Sequence, residues 1–176
     1  MIEIVALEPA AAPALQAFLA DLPAGERRWF REDVLDDAVV RAWTQAANPR
    51  LLALDADGRV VGYGAVEPGR GWSSHVGEIT VMVAADARRG GIGTVLAQHV
   101  LVEALRIGLR KVVVEVVSDQ ASAIGMFRRL GFEPEALLVD HVRDRAGRLR
   151  DLMVLAHPVQ ENWAVMAATG VEDALV

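Results

Sequence analysis

A mixed α/β fold is what this 176-residue sequence predicts: a mostly antiparallel sheet with one splayed parallel strand pair at its centre, and helices on both faces. Three observations carry that expectation. Apolar or alternating runs of strand length recur along the chain with helically spaced segments between them. Two pairs of such runs are separated only by short, turn-rich connections, which makes the strands of each pair antiparallel neighbours. In the middle of the chain a strand–helix–strand crossover makes the two flanking strands parallel.

Taken in order, residues 2–7 read as a strand, and the Ala/Leu-rich residues 9–21 as a helix that stops before Pro23. Residues 25–33, with Arg27, Arg28, Trp29, Phe30 and Arg31, have no clear period and read as a loop or short helix. Helical spacing returns over residues 34–47 through Val34, Leu35, Ala38, Ala42 and Trp43. Strands at residues 51–54 and 60–66 flank Asp55-Ala56-Asp57-Gly58-Arg59, where Asp57-Gly58 tolerates positive φ and closes a hairpin. Residues 75–83 and the very apolar residues 111–117 are strands. Between them residues 91–110 form a helix whose His99, Glu103, Arg106 and Arg110 make one solvated stripe. A further helix spans residues 119–130, with Ala123, Ile124, Phe127 and Leu130 on one face and Gly131 placed to end it. Strands at residues 135–143 and 149–156 flank Arg145-Ala146-Gly147-Arg148, a second hairpin turn. Residues 1–156 are thus expected to form one domain. The tail, residues 157–176, contains Pro158, Trp163 and Met166 and is expected to pack on that domain or on a partner subunit.

Composition excludes whole classes of function. With 18 Lys+Arg against 24 Asp+Glu the net charge is −6, and a general nucleic-acid binder needs a concentrated basic footprint instead. The absence of cysteine removes disulfides, cysteine metal sites and a thiol nucleophile. No basic segment followed by an apolar run opens the chain, and no apolar run approaches the ~18 residues of a membrane span. The expected location is cytoplasmic. His99, His141 and His157 have no ligand spacing with one another or with an acidic cluster, so no metal is expected.

The most informative segment is Arg88-Arg89-Gly90-Gly91-Ile92-Gly93-Thr94, between a strand and a long helix. Three glycines in four positions let backbone N–H groups approach a ligand without obstruction by Cβ atoms. The helix start adds unpaired N–H groups and the positive end of the dipole, a setting that suits a phosphate. A P-loop would need Gly-Lys-Ser/Thr, yet the single lysine, Lys111, lies elsewhere. A dinucleotide turn would need a third glycine where Leu96 stands.

The pattern Arg88-x-x-Gly91-x-Gly93, followed by Ala123-Ile124-Gly125-Met126-Phe127-Arg128-Arg129-Leu130-Gly131-Phe132 in the same element order, resembles the GNAT superfamily of N-acetyltransferases. The resemblance runs from the first strand to about Ala156 and implies an acyl-CoA site, with acetyl-CoA as co-substrate. It implies that Arg88, Arg89, Gly90, Gly91, Ile92, Gly93 and Thr94 hold the pyrophosphate and that Met82 and Val83 pair with the pantetheine arm. Gln120 stands where many relatives carry an Asn that touches the cofactor, and Phe127 is expected to pack against the pantetheine and the core. The strands of residues 75–83 and 111–117 would splay apart around the thioester.

Acyl transfer to an amine needs a base for the ammonium, donors for the oxyanion and help for the departing thiolate. Without cysteine, direct attack is expected. Glu78 lies inside a strand, where a carboxylate is disfavoured and costly to bury; it reads as the base or as half of an ion pair across the sheet. Some GNAT members, including the protein-lysine branch, carry a glutamate base at this point, which favours Glu78. Glu115, on the adjacent strand, is the second candidate. Many members place a tyrosine where this chain has Phe127, so Tyr63 is the only phenol available. The resemblance further implies an acceptor wall from Trp29, Phe30, Arg31 and Trp72, with the arginines suited to an acceptor that bears a carboxylate or phosphate. The expected activity is acetylation of a primary amine, with a small molecule favoured over a peptide. The alternatives are a protein-lysine acetyltransferase and a non-catalytic acyl-CoA sensor. Monomer and homodimer are both open.

Overall fold

The computed structural model describes residues 2–144 and 146–159. Trp163 and Met166 of the expected tail lie outside the described residues. Seven strands form one sheet in the order β1-β2-β3-β4-β5-β7-β6: β1 (Glu3–Ala6), β2 (Arg50–Leu54), β3 (Val60–Pro68), β4 (Val76–Val83), β5 (Lys111–Val117), β6 (Glu133–Arg143) and β7 (Leu149–His157). The helices are α1 (Ala12–Asp21), α2 (Ala24–Arg27), α3 (Asp37–Gln45), α4 (Ile92–Arg106) and α5 (Ala121–Arg129). The expected fold class and element order are met. β1–β2, β2–β3, β5–β7 and β6–β7 pair antiparallel, and β4–β5 pair parallel.

Local chemistry explains where the elements begin and end. Leu15, Phe18 and Leu19 put one buried stripe on α1, and Leu22 leaves the helix in an extended conformation ahead of Pro23. α3 starts three residues later than its spacing predicts. Asp33 Oδ1 accepts from the Leu35 N–H (3.1 Å), folding residues 33–36 into a turn, and Asp36 then caps the helix by accepting from the Ala38 N–H (2.8 Å). Val34 is still buried, but from the turn. In the β2–β3 hairpin Asp55 Oδ1 accepts from the N–H groups of Arg59 and Asp57, both at 3.0 Å, and Gly58 takes φ +76°. The Arg59 backbone bond is the main reason the Asp55 carboxyl is held below its ordinary range. α4 ends at Arg106, and Gly108 (φ +80°) terminates it, so Arg110 falls outside the helix and its N–H donates to the His75 carbonyl (2.9 Å). The expected polar stripe is therefore one residue shorter. Gly131 (φ +88°) follows α5 as expected.

The chain divides into two compact units, Met1–Ala65 with Thr80–Val100 and Val66–Ile79 with Leu101–Val176. In the first, α1 and α3 bury Leu15, Phe18, Leu19, Val40 and Trp43 against Leu52, Val60 and Tyr63. The start of α4 packs close to β3 because position 64 has no side chain. A Cβ there would lie 2.7 Å from Val100 Cγ2 and 3.1 Å from Leu96. In the second unit Val112, Val114, Leu130, Phe132, Leu152 and Leu155 are buried. Edge strand β6 is bulged between Leu138 and Val142, where Asp140 takes φ +53° and its N–H donates to Asp151 Oδ1 (2.9 Å). Among the described residues no helix is long and apolar enough to cross a membrane.

Candidate active site

In the first unit β4 ends at Val83, a 3-10 turn covers Ala85–Ala87, and the glycine loop delivers the chain into α4 at Ile92. The N–H groups of Thr94 and Val95 both donate to the Gly91 carbonyl, at 2.9 and 3.1 Å. The N–H groups of Ile92 and Gly93 thus precede the first intrahelical bond, where a helix has no acceptor of its own. Gly91 has φ +81°, a conformation only glycine adopts without cost. Arg89 is held at φ +67°, which costs an L-residue about 1–2 kcal/mol and marks the loop as strained.

Arg88 is fixed at two points. Its Nε donates to the Val83 carbonyl (3.0 Å), and its Nη2 pairs with Glu26 Oε2 of α2 (2.5 Å). The Ala84 N–H donates to Val61 of β3 (2.9 Å). Because C=O and N–H point in opposite directions across a trans peptide, the Val83 carbonyl faces away from β3. The alternation of a strand then turns the Met82 carbonyl towards β3, and it lies 3.2 Å from where a Gly62 Cβ would be. Of the two residues expected to pair with a pantetheine arm, Val83 is the one whose peptide edge is turned outward. A cleft of about 480 Å³ in this unit is lined by Phe18, Leu22, Arg59, Val60, Ala84 and Ala85 among others; none of the expected site residues lines it.

The acceptor-wall candidates of the first unit separate. Trp29 and Phe30 are half-buried and Arg31 is exposed. Phe30 packs on Trp43 (5.7 Å between ring centroids) and on Tyr63 (5.8 Å), and Tyr63 stacks on Trp43 at 5.4 Å. Tyr63, 2% exposed, is thus part of a buried aromatic cluster. Buried Arg50 lies over the Trp43 ring, 5.2 Å from its centroid. Sequence reasoning missed Glu26, Glu32 and Arg50. Glu26 meets Arg88 across 62 residues of chain, a separation that leaves no local signal.

In the second unit the parallel register pairs Val76, Gly77 and Glu78 with Lys111, Val112 and Val113, while β4 runs on to Val83 and β5 to Val117. Glu78 shares a sheet face with its partner Val113, and Glu115, two residues on, shares it too. The two carboxylate candidates are therefore brought to one face, Glu78 half-buried and Glu115 exposed. On the opposite sheet face a Cβ on Gly77 would meet Leu109 Cδ1 at 2.4 Å, so the glycine lets Leu109 close over the strand there. Gln120 is exposed at the N-cap of α5, and its carbonyl accepts from Ala123 (3.0 Å) and Ile124 (3.1 Å). An Asp119–Arg150 ion pair adjoins it. Phe127 is buried and meets Phe132 edge-on at 5.2 Å; Phe132 in turn lies 5.2 Å from the ring of buried His157. Neither ring nitrogen of His157 has a hydrogen-bond partner among the described residues, and burial pushes its pKa down. Trp72 stands 98% exposed on a 3-10 turn. Among the described residues no group of three or more His, Asp or Glu could hold a metal ion.

Comparison with known proteins agrees with this anatomy. The family model described as "Acetyltransferase (GNAT) family" matches residues 16–132. An L-methionine sulfoximine/L-methionine sulfone acetyltransferase of Pseudomonas aeruginosa is 33% identical over 146 residues, covering 80% of this chain and 84% of the relative. The structure of yncA from Salmonella typhimurium with its cofactor acetyl-CoA superposes with a TM-score of 0.78 at 23% identity, covering 91% of this chain and 95% of the other. A phosphinothricin acetyltransferase of Sinorhizobium meliloti in complex with acetyl-CoA gives a TM-score of 0.77 at 21% identity, covering 89% and 88%. The chain belongs to the acetyltransferase (GNAT) family.

Proposed function

We propose that this chain moves an acetyl group from acetyl-CoA to the primary amine of a small, acid-bearing molecule of the amino-acid class. The observation that carries the reading is the strained glycine loop, whose open N–H groups at Ile92 and Gly93 stand beside Arg88 and Arg89. This donor set suits a pyrophosphate: backbone N–H groups, a helix dipole and two guanidinium groups, with the carboxylates of Glu26 and Asp86 already paired to Arg88 and Arg59. Gly90 and Thr94 complete that loop, and the outward edge of Val83, whose carbonyl already accepts from Arg88 Nε, suits the pantetheine arm. Acetyl-CoA supplies an acyl group activated as a thioester.

The residues of this chain supply the rest. Glu78 takes the proton from the attacking ammonium; its half-buried position favours it over exposed Glu115, which holds negative charge on the same face. Phe127 has no proton to give, so the thiolate departs with help from water and from the N–H groups at the start of α5, near Gln120. Tyr63 supports the acceptor side through its ring. Arg31 meets the acid group of the acceptor, and Trp29 flanks it. The preference for a small molecule rests on the likeness to the methionine sulfoximine/methionine sulfone enzyme. The cytoplasmic location belongs to the same proposal.

The test is release of CoA thiol across methionine sulfoximine, methionine sulfone, simple alkylamines and lysine peptides. Turnover is expected with the α-amino acids and not with the peptides. Calorimetric binding of acetyl-CoA with no thiol release on any acceptor would overturn the enzyme reading in favour of a sensor. Equal loss in Arg31→Ala on acceptors with and without an acid group would remove Arg31 from recognition.

A further inference from the structure

Residues 28–36 cross the first unit without regular secondary structure, yet they are held at regular intervals. At the entry, Arg27 Nη1 donates to the carbonyls of Ala20 (2.8 Å) and Leu22 (2.7 Å), tying α2 to the end of α1. At the exit, Val34 is buried and its carbonyl accepts from Gln16 Nε2 (3.2 Å), just before the Asp36 cap. The middle has two anchors. Phe30 packs on Trp43 and Tyr63, and Glu32 Oε2 accepts from Trp43 Nε1 at 2.7 Å. Anchors therefore fall at positions 30, 32 and 34, and exposed Arg31 and Asp33 fall between them.

We infer that Glu32, through its hydrogen bond to Trp43, is a positioning residue for the acceptor site, latching the segment that carries Arg31. The inference rests on the proposed acceptor side of the site. An indole has a single polar hydrogen, and Trp43 is 6% exposed, so the carboxylate of Glu32 satisfies the one donor that water reaches poorly. A buried donor bonded to an ionised acceptor is among the stronger hydrogen bonds, and breaking it leaves the donor unsatisfied. Trp43 is itself fixed by Tyr63 and Arg50, on β3 and β2. The latch thus adds to the Phe30 contact a polar tie between the loop and the strands, one residue from Arg31. A cation held this way meets an acid-bearing acceptor without first losing loop entropy, so the benefit falls on acceptor binding.

The experiment compares wild type with Glu32→Ala, Glu32→Gln, Trp43→Phe and the Glu32→Ala/Trp43→Phe double variant. Glu32→Gln keeps an acceptor oxygen, and Trp43→Phe keeps a ring but removes the donor. Glu32→Ala and Trp43→Phe are each expected to raise KM for the acidic amine roughly five- to twenty-fold, with kcat and acetyl-CoA affinity within about twofold of wild type. The double variant should be no worse than either single one, and Glu32→Gln should restore most of the loss. Hydrogen exchange over residues 28–36 should accelerate in the same variants, while exchange in the glycine loop stays unchanged. Additive losses, an equal shift in acetyl-CoA affinity or an unmoved acceptor KM would each overturn the latch. Failure of wild type itself to turn over any amine would instead count against the acetyl-transfer reading.

Discussion

The two compact units contribute different kinds of chemistry. The first offers backbone: a loop whose N–H groups, left-handed φ angles and helix start form an anion cradle before any side chain is considered. The second offers side chains: Glu78 and Glu115 on one sheet face and an aromatic run from Phe127 through Phe132 to His157. Binding built from backbone tolerates sequence drift as long as the glycines remain. Catalysis built from side chains depends on single atoms. The difference predicts that substitutions in the glycine loop of the first unit move affinity for the donor, whereas substitutions at the carboxylates of the second move the rate.

The most severe break in that contrast should come at Glu78. Glu78→Gln is expected to lower kcat by roughly 10²–10⁴-fold at neutral pH, the range for loss of a general base, while acetyl-CoA affinity stays within about twofold. Glu115→Gln should cost far less, because the Glu115 side chain is exposed and Glu78 keeps the base. Single-turnover kinetics with acetyl-CoA binding measured in parallel decides this. Full activity in Glu78→Gln would remove it from the scheme, and a larger loss in Glu115→Gln would exchange the two roles.

A smaller but complementary effect belongs to the loop. Gly91→Val places a β-branched residue at φ +81°, where it is strained whatever the space around it. The loop is then expected to relax away from its present shape. Acetyl-CoA affinity should fall roughly five- to thirty-fold, in line with about 1–2 kcal/mol of backbone strain, with kcat at saturating donor nearly unchanged. Calorimetric titration with CoA reads the first quantity and saturation kinetics the second. A fall in kcat without a change in affinity would place the loop in the chemistry and erase the contrast between the units.

How much of each unit the sequence discloses follows from the same contrast. The loop was legible because its determinants are contiguous: glycines, arginines and a helix start within seven residues. The β2–β3 hairpin was legible for the same reason, since Asp55 and Gly58 make the turn by themselves. The late start of α3 was not, because Asp33 and Asp36 compete to begin the helix and apolar spacing does not register capping. Period two placed Glu78 on a face, but the register that brings Glu115 to that same face is a tertiary fact. The partners Glu26–Arg88 and Glu32–Trp43 depend on how distant segments meet, and no window along the chain contains both the first pair and its reason. Tyr63, expected as a candidate acid, was read from its chemistry alone; its stacking on Trp43 emerges only in the folded chain.

The gentlest effect should distinguish the units by pH. His157 of the second unit is fully buried, its ring nitrogens lack partners among the described residues, and burial holds its pKa below the ordinary value of 6.5. The folded state therefore favours the neutral ring, while the unfolded chain begins to bind a proton near pH 6.5. Stability from this group is present above that pH and is lost as the pH falls towards and through the folded value, because the unfolded state then holds more protons. His157→Phe replaces the ring with one that cannot charge and that still packs on Phe132. Urea midpoints at pH 7.5 and 5.5 should show a shallower acid loss in the variant than in wild type, with the two proteins within about 1.5 kcal/mol at pH 7.5. The carboxylates that weaken at low pH do so in both proteins, so the difference between the two slopes isolates His157. Parallel slopes would mean that the ring titrates alike in the folded and unfolded chain, and would return the acid sensitivity to groups outside this aromatic run.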